Sequence, residues 1–364
     1  MEITLMTALQ IVPPAKIQST LNALWEAKEN KNKMRASLFN IIFFTEKSSR
    51  EDYIRKIAYK LIEKFPARIF FISVDPDSAD DLKTAVSVLS TKQGDFDITC
   101  DLIEISASGK EEAKVPLLLL PHIVPDLPVF LVWAEDPTRN HSLCEELKQF
   151  ATRIIFDSES TEDLGIFSQS VLEMQRMFSC EIADLNWARL DTWRTLFSST
   201  FSDLEKLEKL KNTSSIEITF NGQETPSFCH TKIQSIYLQA WIASRLKWIP
   251  TKFNASLLSF SYQLHDKNIE VTLTEIKNAK LPPGMILSVG IRTQDGDHFL
   301  FSREEKSLHQ ISFQHSSSTG CSLPTRLLVA KGESGQSLVN EICHKGTSQH
   351  YIDALKIIAS GSLS

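Results

Sequence analysis

From residue 37 onward, short runs of apolar, β-branched residues alternate with longer stretches whose apolar positions recur every three or four residues. SLFNIIFFT (37–45) reads as a buried strand and ARIFFISV (67–74) as a second. Between them, EDYIRKIAYKLIEKF (51–65) reads as an amphipathic helix with Ile54, Ile57, Ala58, Leu61 and Phe65 on one face. The alternation continues through DITCDLIEISA (97–107), the helix-like KEEAKVPLLLL, the strand VFLVW (129–133), the helix HSLCEELKQFA (141–151), the strand RIIFD (153–157) and a helix from about 161 to 178. Strand, helix, strand repeated in this way predicts a parallel-rich sheet covered by helices on both faces, Rossmann-like in outline.

Past the charged run DLEKLEKLKN the pattern changes. IEITF (216–220) precedes the helix TKIQSIYLQAWIASRLKW (231–248), apolar nearly all round and therefore read as a core helix. There Arg245, one turn from both Trp241 and Trp248, is placed to stack on them. SLLSFSYQL, IEVTLTEI, MILSVGIRT, HFLFSR and HQISFQH follow, separated by turn signals such as Asp295–Gly296, as in an antiparallel meander. Two helices, about 336–343 and 348–359, close the chain. A chain of 364 residues is long for one core. The reading is an α/β domain over 1–180 and an α+β domain over 181–364, with a junction helix at about 184–198.

That junction, EIADLNWARLDTWRTLF (181–197), is unusual. Drawn on one helical wheel, Ile182, Leu185, Trp187, Leu190, Trp193, Leu196 and Phe197 spread over roughly 200°, about twice the stripe that a single core requires. Arg189 falls inside the arc and needs an acceptor, so Arg189 and Trp193 are expected at the domain junction, with Arg189 held by a carboxylate. Trp187 and Arg194, at the arc's edge, are the candidates for docking another protein.

Composition narrows the chemistry. Lys plus Arg number 39 against 45 acids, a net charge of −6, which argues against a general nucleic-acid or anionic-membrane surface. No segment approaches the roughly 20 apolar residues of a membrane span, and the N-terminus lacks the basic region of a secretory signal. Six scattered cysteines make no disulfide framework, and a reducing cytoplasm is the expected location. The turn after the first strand, TEKSSRED, has no glycine, and GxxxxGK[ST] occurs nowhere, so no nucleotide cofactor is expected. KGESGQS (331–337) reads as an ordinary turn. No GxSxG elbow or Cys-His signature marks a nucleophile, and Cys229–His230 and Cys343–His344 lack zinc spacing. Asp75 and Asp77, like Glu135 and Asp136, follow strand ends where α/β folds bind ligands, but read better as turn residues beside Pro76 and Pro137. No catalytic, cofactor-binding or metal-ligating residue is assigned. The leading expectation is a protein that acts by binding another protein; an enzyme of sugar-phosphate metabolism with a dispersed site is the alternative.

Five stretches in register resemble the glucose-6-phosphate dehydrogenase assembly protein (OpcA) family: Leu24–Trp25 followed by MRASLFNIIFF, FPARIFFIS, DLPVFLVWAEDP (126–137), DLNWARLDTWRTLF and YLQAWIASRLKW. The resemblance runs from about residue 20 to 250. It implies a non-catalytic cytoplasmic protein of two domains that binds glucose-6-phosphate dehydrogenase and promotes its active oligomer in the oxidative pentose phosphate pathway. In photosynthetic members it also implies a link to thiol-based control, for which none of Cys100, Cys144, Cys180, Cys229, Cys321 or Cys343 is singled out.

Overall fold

The computed structural model describes residues 8–27, 33–48, 50–93, 96–139, 142–177, 180–254, 257–304, 307–318, 320–328 and 335–361. Two compact units share the chain. The first holds Met1–Asp157, Phe178–Leu185 and Glu333–Gly346; the second holds Ser158–Met177, Asn186–Gly332 and Thr347–Ser364. Whereas the sequence reading divides the chain once, near 180, these units are interleaved.

The first unit is built on one sheet of nine strands: β1 (Gln10–Ile11), β2 (Lys33–Arg35), β3 (Asn40–Glu46), β4 (Arg68–Val74), β5 (Asp81–Gln93), β6 (Phe96–Ser108), β7 (Val129–Trp133), β8 (Arg153–Phe156) and β9 (Glu181–Asp184). Their order is β1-β5-β6-β4-β3-β7-β8-β9, with β2 beside β6. From β6 to β9 every neighbouring pair is parallel. The order therefore runs outward from β3 to β4 and β6 on one side and from β7 to β8 and β9 on the other. That is the doubly wound arrangement, with its switch point between β3 and β7. Burial on both faces explains the unbroken apolar runs: every residue of β4, and all of β3 but Glu46, is buried. The helices of this stretch are α1 (Ile17–Glu26), α2 (Glu51–Ile62), α3 (Val115–Leu119) and α4 (Ser142–Leu147). α2 buries Ile54, Ile57, Ala58 and Leu61, the face its spacing predicts, and adds Ile62. The predicted helix KEEAKVPLLLL divides into a 3-10 segment and the short α3.

The chain then supplies α5 (Leu164–Met177), α6 (Leu185–Arg189), α7 (Asp191–Thr200), α8 (Leu204–Lys211), α9 (Ile233–Leu246), α10 (Gln336–Cys343) and α11 (Gln349–Gly361). α10 belongs to the first unit, where Leu338 and Val339 join the core lined by Ile54, Ile57 and Leu61. Arg153, 1% exposed, holds this returning segment by donating to the backbone carbonyls of Glu341 and Gly346 while pairing with Glu181.

The second unit's sheet comprises β10 (Thr213–Asn221), β11 (Ile249–Asn254), β12 (Ser259–Leu264), β13 (Lys267–Ile276), β14 (Ile286–Thr293), β15 (His298–Glu304), β16 (Ser307–Ser317), β17 (Gly320–Cys321) and β18 (Thr325–Leu328). The order is β11-β12-β13-β10-β14-β15-β16-β17, with β18 beside β16. Only β10 and β13 pair in parallel among these strands; the rest form the antiparallel sheet expected. Ile269, Val271 and Leu273 are buried, while Asn268, Glu270 and Thr272 between them are exposed, the alternation of a sheet covered on one face. Phe197 of α7 stacks on Phe301 at 4.7 Å, and Gln239 of α9 accepts the Tyr262 hydroxyl proton on that same covered face. The hairpin between β14 and β15 turns at Asp295–Gly296, where φ of +85° at Gly296 favours the residue without a Cβ. Among the described residues Arg245 stacks on neither Trp241 nor Trp248; instead Trp241 faces Phe197 and Trp248 faces Tyr262.

Candidate functional site

The predicted junction helix is three elements. Residues 181–184 are strand β9 and Leu185–Arg189 form α6. The helix then breaks at Leu190, whose N–H bonds to the Trp187 carbonyl, and α7 starts anew at Asp191. The wide apolar arc arises from drawing a strand and two helices on one wheel. Ile182, on β9, and Leu185 belong to the first unit, and the aromatic residues to the second.

Within the second unit, Trp187 is 2% exposed and sits against Tyr351 (5.5 Å) and Tyr237 (6.2 Å). Arg194 closes the other side. Its guanidinium lies 3.9 Å over the Trp187 ring, Nη1 donates to the Trp187 carbonyl at 2.9 Å, and Nη2 reaches Asp191 at 3.3 Å. Trp187 is thus a packing centre rather than a surface anchor, while Arg194 keeps 16% of its side chain accessible. Arg189 donates to Asn186 Oδ1 at 2.5 Å and lies 5.3 Å over the Phe228 ring. Trp193 is buried at 2%, with the Arg303 guanidinium 5.6 Å away.

In the first unit, three residues from the stretches that carried the family resemblance meet on Asp101, which sequence reasoning passed over. Asp101 is 1% exposed in the middle of β6. It accepts from Trp25 Nε1 at 2.7 Å, from Arg35 Nη2 at 2.7 Å, and from Arg68 through both Nε and Nη2. Arg68 Nη1 donates onward to the His122 carbonyl at 2.8 Å. An aspartate inside the apolar run ITCDLIEI was the available signal, because a charge placed there has to be paired.

The switch point between β3 and β7 is where a doubly wound sheet takes its ligand. Here a carboxylate occupies it. Glu135, 9% exposed just beyond β7, accepts from Thr45 Oγ1 at 3.0 Å and from the Glu46 N–H at 2.9 Å. Burial, with the Glu46 charge adding to it, raises the Glu135 pKa against the opposing hydrogen bonds. The next helix begins with Glu51 and Asp52, not glycine, and Glu51 accepts from Ser73 Oγ at 3.1 Å and Arg55 Nη2 at 3.0 Å. One amide at the switch point, that of Glu46, is committed to Glu135, and the first turn of α2 carries the acids Glu51 and Asp52. Asp136 accepts the Thr138 N–H at 2.9 Å, and Asp75 accepts from Ser78 at 2.7 Å and Lys47 at 3.0 Å, as turn residues do. Ser78 first and Lys47 second hold the Asp75 pKa below the usual carboxylate range.

The Glu135 shift has a sign that can be measured. Its folded-state pKa lies above its unfolded one, so the stabilisation it gives is present below the unfolded pKa and is lost as pH rises through the folded one. Glu135→Gln keeps the acceptor oxygen without the charge. The variant is expected to match the wild type in acid and to exceed it in stability at neutral pH, read from denaturation midpoints across pH; equal midpoints at neutral pH would contradict the assignment.

Of the adjacent Cys-His pairs, His230 Nδ1 lies 2.8 Å from the Glu159 carbonyl, to which it must donate, and the His230 amide donates to Glu159 Oε1 at 2.8 Å. Among the described residues, no group of three or more His, Cys, Asp or Glu is placed to hold a metal. Burial pushes the Cys100 and Cys144 thiols up to about 12. No described helix is long and apolar enough to cross a membrane. Residues 331–334 of KGESGQS lie outside the described residues.

Residues 58–173 match the family described as glucose-6-phosphate dehydrogenase subunit N-terminal domain, and residues 180–355 match its C-terminal domain. The chain belongs to the OpcA family. Relatives named OxPP cycle protein OpcA include one from Synechococcus elongatus, 25% identical over 206 residues, which are 55% of this chain and 44% of that protein. Another, from Synechocystis, is 26% identical over 218 residues, 57% of this chain and 41% of that protein. The matched stretch thus spans less than half the length of these relatives. Among solved structures, a super-repressor mutant of Gal80p from Saccharomyces cerevisiae has a TM-score of 0.50 at 9% identity, covering 90% of this chain and 95% of that one. An NAD binding oxidoreductase from Klebsiella pneumoniae has a TM-score of 0.48 at 8% identity, covering 90% of this chain and 97% of that one. The first likeness shows the fold alone: a Rossmann-like unit followed by a mostly antiparallel sheet.

Proposed function

We propose that this OpcA-family chain is a non-catalytic cytoplasmic protein of the oxidative pentose phosphate pathway that binds glucose-6-phosphate dehydrogenase and promotes its active oligomer. The observation that carries the reading is the switch point. A doubly wound outline whose switch point holds Glu135, and whose next helix opens on Glu51 and Asp52 with no glycine, places acids rather than an anion cradle where such a fold takes its ligand. The descriptions of the matching family domains support glucose-6-phosphate dehydrogenase as the partner.

The test is to mix the purified chain with the same organism's glucose-6-phosphate dehydrogenase and follow oligomer size and activity together. A joint peak of larger mass with raised dehydrogenase activity is expected. Two separate peaks with unchanged activity would overturn the partner. The chain alone is expected to show no turnover of glucose 6-phosphate or 6-phosphogluconolactone and no NADP binding below the millimolar range. Micromolar NADP affinity, or turnover at enzyme-like rates, would instead favour the dispersed-site enzyme.

A further inference from the structure

The second unit's sheet carries α7 and α9 on one face and is open on the other. The strand register arranges the open face in rows. One row runs Ser259, Thr272, Glu217, Gly290, Leu300, Gln314 across β12, β13, β10, β14, β15 and β16. Of the rows on either side, one carries Glu270, Arg292 and His298, and every other position in the two as far as β16 is serine or threonine. None of these residues is buried.

The few charges in these rows are sorted by side. Glu217 and Glu270 stand on β10 and β13, Arg292 and His298 on β14 and β15, and the boundary falls between the neighbouring strands β10 and β14 near the middle of the sheet. Glu217 accepts from the Thr274 hydroxyl at 3.1 Å, and neither it nor Arg292, both exposed, forms an ion pair among the described residues. Further out, Arg326 is already paired with Glu304 at 2.8 Å. Just across the boundary from Glu217, Gly290 leaves the backbone open, with His298 Nε2 3.4 Å from the position that a Cβ there would take.

We propose that this open face pairs with the same face of a second copy of the chain, about a two-fold axis lying along the strands between β10 and β14. That rotation sets β10 of each copy over β14 of the other, so Glu217 of one copy enters the space above Gly290 of the second, between Arg292 and His298, and the contact occurs twice. An acidic half that abuts a basic half across the sheet's midline is complementary to itself, which is what an isologous interface requires. Short serine and threonine side chains let two sheets approach to about 10 Å. Six strands about 4.8 Å apart and three rows about 7 Å apart make roughly 600 Å² of plane, which β11 and the β17 and β18 edge extend towards the roughly 800 Å² that each partner of a stable interface buries. The inference is independent of the proposed function, because the pairing is read on this chain alone.

Sedimentation velocity of the purified full chain across micromolar concentrations tests it, and a species of twice the chain mass is expected. Glu217→Arg and Arg292→Glu, both at exposed positions, are each expected to weaken self-association by about a hundredfold or more with circular dichroism unchanged. Mixed in equal amounts, the two variants are expected to recover the dimer, because unlike copies restore an acid opposite a base at both contacts. A wild type that stays monomeric at tens of micromolar, self-association that survives both reversals, or variants that fail to recombine would each overturn the pairing. A monomeric wild type whose activation of the dehydrogenase is abolished by either reversal would also overturn it, and would give the face to that enzyme instead.

Discussion

Asp101→Ala is expected to destabilise the first unit by about 3–5 kcal/mol, because it strands buried charge without removing it. Arg68 is 8% exposed and relies on Asp101 for two of its donors; the His122 carbonyl satisfies a third. Arg35 is the lesser loss: its side chain is 39% exposed, so water replaces part of what the carboxylate gave. The Trp25 indole N–H also loses its acceptor. Asp101→Asn retains the shape and two acceptor lone pairs, and its cost should be smaller. Because the chain has two units, a single global transition is not assumed, and the change should be read at first-unit amides by hydrogen exchange. A loss below about 1 kcal/mol for Asp101→Ala would show that the two guanidiniums reach other acceptors, and that the meeting of three residues from two family stretches on this aspartate is not structural.

The parts of the fold that were legible in the sequence are those where one element faces one environment. β3, β4 and β7 are buried on both faces and read as continuous apolar runs, and α2 buries a single stripe. β5 was missed, although it spans Asp81–Gln93 and pairs with β6 along its whole length. Thr84 and Ser87, both 2% exposed, interrupt its apolar pattern with small polar side chains that the core nonetheless encloses. The return of α10 to the first unit was equally invisible, since it depends on Arg153 reaching carbonyls 188 and 193 residues downstream. At the switch point, the missing glycine was legible but the replacement was not. Glu135 looked like one of a pair of turn acids. Asp136 behaves as one, while Glu135 turns inward to the Thr45 hydroxyl and the Glu46 amide.

Trp187→Ala is expected to cost the second unit about 3–5 kcal/mol, as for a large buried aromatic whose neighbours cannot collapse into the space. Tyr237 and Tyr351 would each lose a ring face, and Arg194 would lose the platform beneath its guanidinium. Arg194→Ala removes a cation–π contact, the hydrogen bond to the Trp187 carbonyl and the water-exposed ion pair with Asp191 from a partly exposed side chain, so about 1–2 kcal/mol is expected. The pair of variants separates packing from docking. If Arg194 meets the dehydrogenase, Arg194→Glu should weaken activation in protein that remains folded, through charge reversal at an accessible edge. Trp187→Ala should reduce activation only in proportion to the protein it unfolds. The reverse pattern, in which Trp187→Ala melts like the wild type yet no longer activates, would require the tryptophan to leave its tyrosine neighbours for the partner, and would return it to the docking role that its place in the sequence first suggested.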